Sequence, residues 1–236
     1  MRHFFLSLLV AFFAFSVSAQ VDSTISSTDR NSNKNLDKKP HMDMLLVDLN
    51  WDRLIGLQDP VRQKWYGRGI AVSLMYDYPI KANGQVSFAI GGGFASHNYY
   101  TNALVKKSGT TELADFIIQP SSIKEKGKIS LNYVDVPFEF RFRTLEDSRE
   151  HRWKLAVGGR VGYLINVHET IKDVNGFKTK LYFYPHVSKF RYGPTVRFGY
   201  GAVMLTGFYS LSTFFQTGKS VDPQNGLSIG ITISPF

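Results

Sequence analysis

The 236-residue sequence contains no cysteine. That absence excludes a disulfide framework, a thiolate metal site, a cysteine nucleophile and an N-terminal lipidated cysteine. Histidine is also sparse, and no pair has the HExxH spacing or another helical metal spacing, so the sequence indicates no metal and no other cofactor. Apolar residues make up 43% and aromatic residues 14% of the chain, which is too much for a disordered protein.

The first residues carry the marks of export. Arg2 and His3 precede an apolar run over residues 4–15, and small residues lead up to Ala19. This arrangement predicts a signal peptide at 1–19, cleaved after Ala19, and the polar, aperiodic residues 20–42 predict a flexible periplasmic leader. Export argues against nucleic acid as the partner of a chain with net charge +9, and favours outer-membrane lipids and lipopolysaccharide.

From residue 43 to 236 apolar residues recur with period two, which predicts β-strands. Eight such runs occur, and Asn83-Gly84 supplies a tight hairpin turn between two of them. Their connections alternate between long ones, near 52–67, 102–127, 169–188 and 213–225, and short ones, near 81–84, 145–150 and 200–202. We therefore predict an all-β fold, an eight-stranded antiparallel up-and-down transmembrane β-barrel.

The polar face of the strands indicates which side of this barrel meets lipid. A soluble lipocalin-like carrier also alternates, with its apolar face inward, and is the alternative fold. Lysine is almost absent from the predicted strand interiors, which hold arginine, acidic residues and glycine instead. Charges of both signs suit a narrow lumen in which each charge must find a partner. The predicted lumen polar network consists of Asp48, Asp77, Asp135, Glu139, Arg141, Arg143, Arg160, Arg191 and Arg197.

Aromatic residues near the strand ends suggest interfacial girdles. Outer-membrane barrels carry such rings of aromatic side chains where the apolar band meets water. The candidates are Trp51, Tyr78, Tyr99, Tyr100, Trp153 and Phe236.

Few residues invite catalysis. His97 beside Ser96, and His168 beside Glu169, are expected near the extracellular strand ends and keep open an outer-membrane lipid-modifying enzyme. The charged lumen keeps open a narrow channel, although large charged side chains would fill an eight-stranded interior. The long connection at 102–127 contains an apolar stretch at 114–118 that could pack or dock on a partner. The favoured interpretation is a non-enzymatic structural or interaction component of the cell envelope.

Three segments resemble PorT-like outer-membrane barrel proteins, and the architecture resembles small OmpA-type barrels. The segments are Trp65-Tyr66-Gly67-Arg68-Gly69-Ile70, Met75-Tyr76-Asp77-Tyr78-Pro79-Ile80 and Gly91-Gly92-Gly93-Phe94. The resemblance, which covers about residues 44–236, implies a place in an envelope protein complex for secretion or motility. The terminal Phe236 resembles the signal that the barrel assembly machinery reads, which implies that machinery as a partner.

Overall fold

The structure, a computed structural model, describes residues 41–81, 84–107, 113–118, 124–145, 147, 151–182 and 186–234. The predicted signal peptide with Ala19, most of the predicted leader, Asn83 and Phe236 lie outside the described residues. β1 begins at His41, so the last two residues of the predicted leader belong to a strand. Within the described part of the chain, no helix is long and apolar enough to cross a membrane.

Eleven β-strands follow one another along the described residues. They are β1 (His41–Ile55), β2 (Arg68–Pro79), β3 (Val86–Thr101), β4 (Ala103–Lys107), β5 (Ala114–Ile118), β6 (Lys124–Arg143), β7 (Trp153–Asp173), β8 (Lys178–Leu181), β9 (Phe190–Tyr200), β10 (Val203–Thr213) and β11 (Asn225–Ile233).

Eight of these strands close into a barrel. The order β1-β2-β3-β6-β7-β9-β10-β11 is antiparallel throughout, and β11 returns to β1 with Val47 opposite Ile233 and Trp51 opposite Ile229. Closure removes both edges of the eight-stranded wall, so each of these eight strands pairs with a neighbour on both sides. The predicted eight-stranded antiparallel barrel is confirmed.

The predicted alternation of short and long connections is also present, but the strands at the long-connection end extend further than predicted. β1 runs to Ile55, β6 begins at Lys124 and β7 continues to Asp173. The β4–β5 hairpin and β8 add further strand to segments predicted as connections. At the other end Gly84 and Gly201 have φ of +69° and +61°, which suits the tight turns there.

The wall is apolar outside and polar inside. On β2, Ile70, Val72 and Leu74 are 46%, 39% and 48% exposed, whereas Ala71 and Ser73 between them are buried. The same alternation runs along the other barrel strands and produces a continuous outward apolar belt. A soluble carrier needs the opposite arrangement, so the belt identifies the surface that meets lipid.

Aromatic side chains mark the short-turn end of the belt. Trp153 stacks on Phe198 with ring centroids 5.3 Å apart and also contacts Tyr200. Tyr99, predicted for a girdle, instead points into the barrel and is 6% exposed. The reason is strand phase, because Phe94 faces outward and Tyr99 is an odd number of residues further along β3.

An apolar cluster fills the long-connection end of the barrel. Phe116 from β5 contacts Phe214 and Phe215 at centroid distances of 6.0 and 5.7 Å, and Tyr99 contacts Phe214 at 6.5 Å. Ala103, Val105 and Ala114 of the hairpin are buried in the same cluster. The connection at 102–127 therefore packs its apolar stretch over the barrel mouth.

Candidate functional site

Ion pairs join all nine charged residues of the expected lumen network into one chain. The members alternate in sign, so each acid lies between two arginines. Their order is Arg191, Asp135, Arg160, Asp48, Arg197, Glu139, Arg141, Asp77 and Arg143. We call this set the ion-pair ladder.

Asp48 on β1 is the central acid of the ladder. Its Oδ2 accepts from Arg160 Nη2 and Arg197 Nη2, both at 3.0 Å, and its Oδ1 accepts from Thr232 Oγ1 at 2.7 Å. Arg197 Nε in turn donates to Thr232 Oγ1 at 3.1 Å. The carboxylate is 1% exposed, so these bonds replace the water that it loses on folding.

The two ends of the ladder use further partners. Arg191 holds Asp135 through Nη2 at 2.6 Å and Nε at 3.3 Å, a bidentate arrangement that suits guanidinium and carboxylate planes. At the other end Arg143 pairs with Asp77 and donates to Ser87 Oγ at 2.9 Å. The ladder thus contains five arginines and four acids, and it runs through the barrel interior between strands that are far apart in sequence.

Small residues in the wall make room for these charges. A Cβ at Gly162 would lie 2.2 Å from Asp135 Oδ1 and 2.9 Å from Arg191 Nε. A Cβ at Gly69 would lie 2.3 Å from Oδ2 of Asp52, a buried acid on β1 outside the ladder. Glycine therefore occupies positions where a side chain would displace a buried carboxylate.

Aromatic rings cover the ladder on the side of the long connections. The guanidinium carbon of Arg191 lies 3.9 Å from the ring centroid of Tyr133 and 5.3 Å from that of Phe208. Beside them a cavity of about 30 Å³ is lined by Tyr99, Tyr133, Arg191 and Ser228, among others. That volume admits one or two water molecules and excludes a lipid or a sugar.

A second buried polar group was not predicted. His97 Nδ1 lies 2.9 Å from Asp52 Oδ2, and Ser228 Oγ donates to Asp52 Oδ1 at 2.6 Å. The sequence interpretation placed Asp52 in a connection, although continuing the alternation from Asp48 through Asn50 would have placed it inside. The carboxylate stands between the other two side chains, so His97 does not contact the serine hydroxyl as a general base would.

In the two pairs considered for catalysis, Ser96 with His97 and His168 with Glu169, the two side chains do not face each other. Ser96 and His97 are adjacent on β3, so their side chains point to opposite faces of the wall. The same holds for His168 and Glu169 on β7, where Glu169 is 1% exposed on the inner face. Sequence adjacency suggested pairs that strand geometry separates.

His97 is also poorly placed to exchange a proton with a substrate. Its Nε2 is buried without a hydrogen-bond partner among the described atoms, and the cavity lining does not include it. Over the described ranges between residues 41 and 234, no group of three or more His, Asp or Glu side chains could hold a metal ion.

A closed barrel with an outward apolar belt and a charged interior is the architecture of outer-membrane proteins. Residues 13–217 match the model of the outer membrane protein beta-barrel domain. The chain belongs to this family. As a member of the outer membrane beta-barrel domain family, the protein resides in the bacterial outer membrane.

Comparisons with curated proteins and with solved structures add little to the family assignment. No curated protein matches its sequence. Among solved structures it is similar to Ail, the attachment invasion locus protein of Yersinia pestis, with 12% identity and a TM-score of 0.33. That similarity covers 81% of this chain and 97% of the Ail chain.

Proposed function

We propose that this outer-membrane barrel is a non-enzymatic structural or interaction component of the envelope, and that it acts through its long-connection end. The observation that carries the proposal is the ion-pair ladder. Its nine charged side chains occupy an interior that eight strands make just wide enough for side chains. Such an interior supports the barrel wall, and we expect it to block the passage of solutes.

The long-connection end offers the surface for interaction. By the rule for outer-membrane barrels, short turns face the periplasm and long connections face outward. The β4–β5 hairpin is fixed there by its buried face, while Ile117 and Ile118 at the end of β5 are each 37% exposed. Exposed apolar side chains on a rigid scaffold are suited to contact a protein partner.

The resemblance of the sequence to PorT-like barrel proteins suggests which partners this protein has. An envelope complex for secretion or motility would contact the hairpin, and the barrel assembly machinery would read the terminal Phe236. Outer-membrane lipids and lipopolysaccharide would surround the wall.

We expect the double variant Ile117→Ser/Ile118→Ser to fold normally but to lose its binding to the partner complex. Cross-linked outer membranes separated on a native gel measure this, with wild type migrating as a larger species and the variant as the free barrel. The matched control is Ile80→Ser/Leu145→Ser, which removes two exposed apolar side chains at the short-turn end. A wild type that migrates alone, or a double variant that stays in the larger species, contradicts the proposal.

A further inference from the structure

The outer face of β6 and β7 changes character at the long-connection end. On β6 the apolar belt ends at Val134, and the next positions of the same phase are Asn132, Ser130 and Lys128, of which Ser130 is only 2% exposed and donates to Asn98 Oδ1. On β7 a register shift leaves Ile165 as an extra residue, because Tyr133 pairs with Leu164 and Asn132 with Asn166. The shift reverses the phase of β7, so that even-numbered residues face outward beyond it.

Beyond the shift, three strands present lysine on the same face. Lys128, Thr170 and Lys180 are direct cross-strand partners on β6, β7 and β8. Lys172 and Lys178 form the next row. Direct partners lie on one face of a sheet, about 5 Å apart, and alternate residues along each strand share that face. We call Lys128, Lys172, Lys178 and Lys180 the lysine face.

The concentration of positive charge affects the neighbouring His168. Partial burial lowers the pKa of His168, and the charges of Lys128 and Lys180 lower it further. Glu169, on the same stretch of β7, is buried on the opposite face. Lysine on an edge strand such as β8 also discourages pairing with another chain, but that role does not require lysine on β6 and β7.

The lysine face lies beyond the apolar belt, on the side of the long connections. Lys128 is six residues beyond Val134, where the belt on β6 ends. At roughly 3.3 Å per residue along a strand tilted by about 40°, this places Lys128 on the order of 15 Å above the edge of the belt. Long lysine side chains can also bend toward the membrane along the wall.

We propose that the lysine face binds the phosphate groups of lipopolysaccharide in the outer leaflet. The proposal deepens the proposed function, since it assigns a ligand to the outer wall at the same end of the barrel. The proposal rests on charge complementarity between these lysines and phosphate groups, on the same face of the wall as the lipid-facing belt. It does not depend on the hairpin or on a protein partner.

The test is a titration of the folded protein in neutral detergent with purified lipopolysaccharide, followed by a native-gel shift. Each lysine near an anionic lipid surface contributes about fivefold in affinity. We therefore expect Lys128→Gln/Lys178→Gln/Lys180→Gln to bind on the order of 100-fold more weakly than wild type. The matched control, Lys81→Gln/Lys106→Gln/Lys219→Gln, removes the same charge from exposed positions outside this face and should bind within about threefold of wild type.

Two further ligands distinguish the sources of negative charge. Lipopolysaccharide stripped of its phosphates, and phosphatidylglycerol, should both bind wild type much more weakly than intact lipopolysaccharide. Equal binding of either one, equal losses in the two triple variants, or an unchanged affinity of the lysine-face variant overturns the proposal. Migration before and after boiling verifies that each variant is folded, and the hairpin experiment above is unaffected by any of these outcomes.

Discussion

Replacing Asp48 by asparagine should lower the free energy of unfolding by about 3–5 kcal/mol. The substitution keeps the shape of the side chain but removes the negative charge between Arg160 and Arg197. Both guanidinium groups donate to the same carboxylate oxygen at 3.0 Å and are almost fully buried. Without that charge, two arginines remain in a medium of low dielectric constant with repulsion between them.

The loss can be measured by urea titration in lipid vesicles, or as a lower temperature at which the folded band converts to the unfolded band on a gel. Asp59→Asn, in an exposed connection, is the matched control and should change stability by less than about 0.5 kcal/mol. Adding Arg197→Gln to Asp48→Asn should cost less than the sum of the two single changes. Additive losses, or a stable Asp48→Asn protein, would show that the ladder is not a coupled network.

Arginine in place of Val136 should cost about 2–4 kcal/mol, because it places a charge near the middle of the lipid-facing belt. Val136 is 47% exposed on the outer face of β6, with Val134 and Phe138 beside it on that face. Unfolding in lipid vesicles measures the cost, and heat-modifiable migration reports how much protein assembles.

The matched control for this change lies on the same strand and the same face. Asn132→Arg introduces the same side chain four residues away, beyond the belt, where the expected cost is about 0–1 kcal/mol. If the two variants were equally stable, the apolar face of β6 would not be in contact with lipid.

Period-two alternation was sufficient to predict the barrel because it repeats in every strand. It also places Asp48 and Arg197 on the inner face, although 149 residues separate them in sequence. Alternation does not reveal register, so the order of the nine ladder residues depends on strand pairing. The same rule, applied more strictly, would have placed Tyr99 and Asp52 inside the barrel.

Other features have no local signal. The extra residue Ile165 reverses the phase of β7, and nothing in the surrounding sequence marks that shift. The packing of Phe116 on Phe214 and Phe215 joins two connections that are distant in the chain. From the sequence, the apolar residues in these connections predicted only that they would pack against another surface, without indicating which one.

We propose that the charged side chains of the ladder close the barrel to solutes, and electrical recording in a planar lipid bilayer is the most direct test. Wild-type protein, with its folded state verified by migration before and after boiling, should give no stepwise current at any applied voltage. Reproducible single-channel openings whose size changes with Glu139→Gln or Arg141→Gln would contradict the claim, because those side chains would then line an open path.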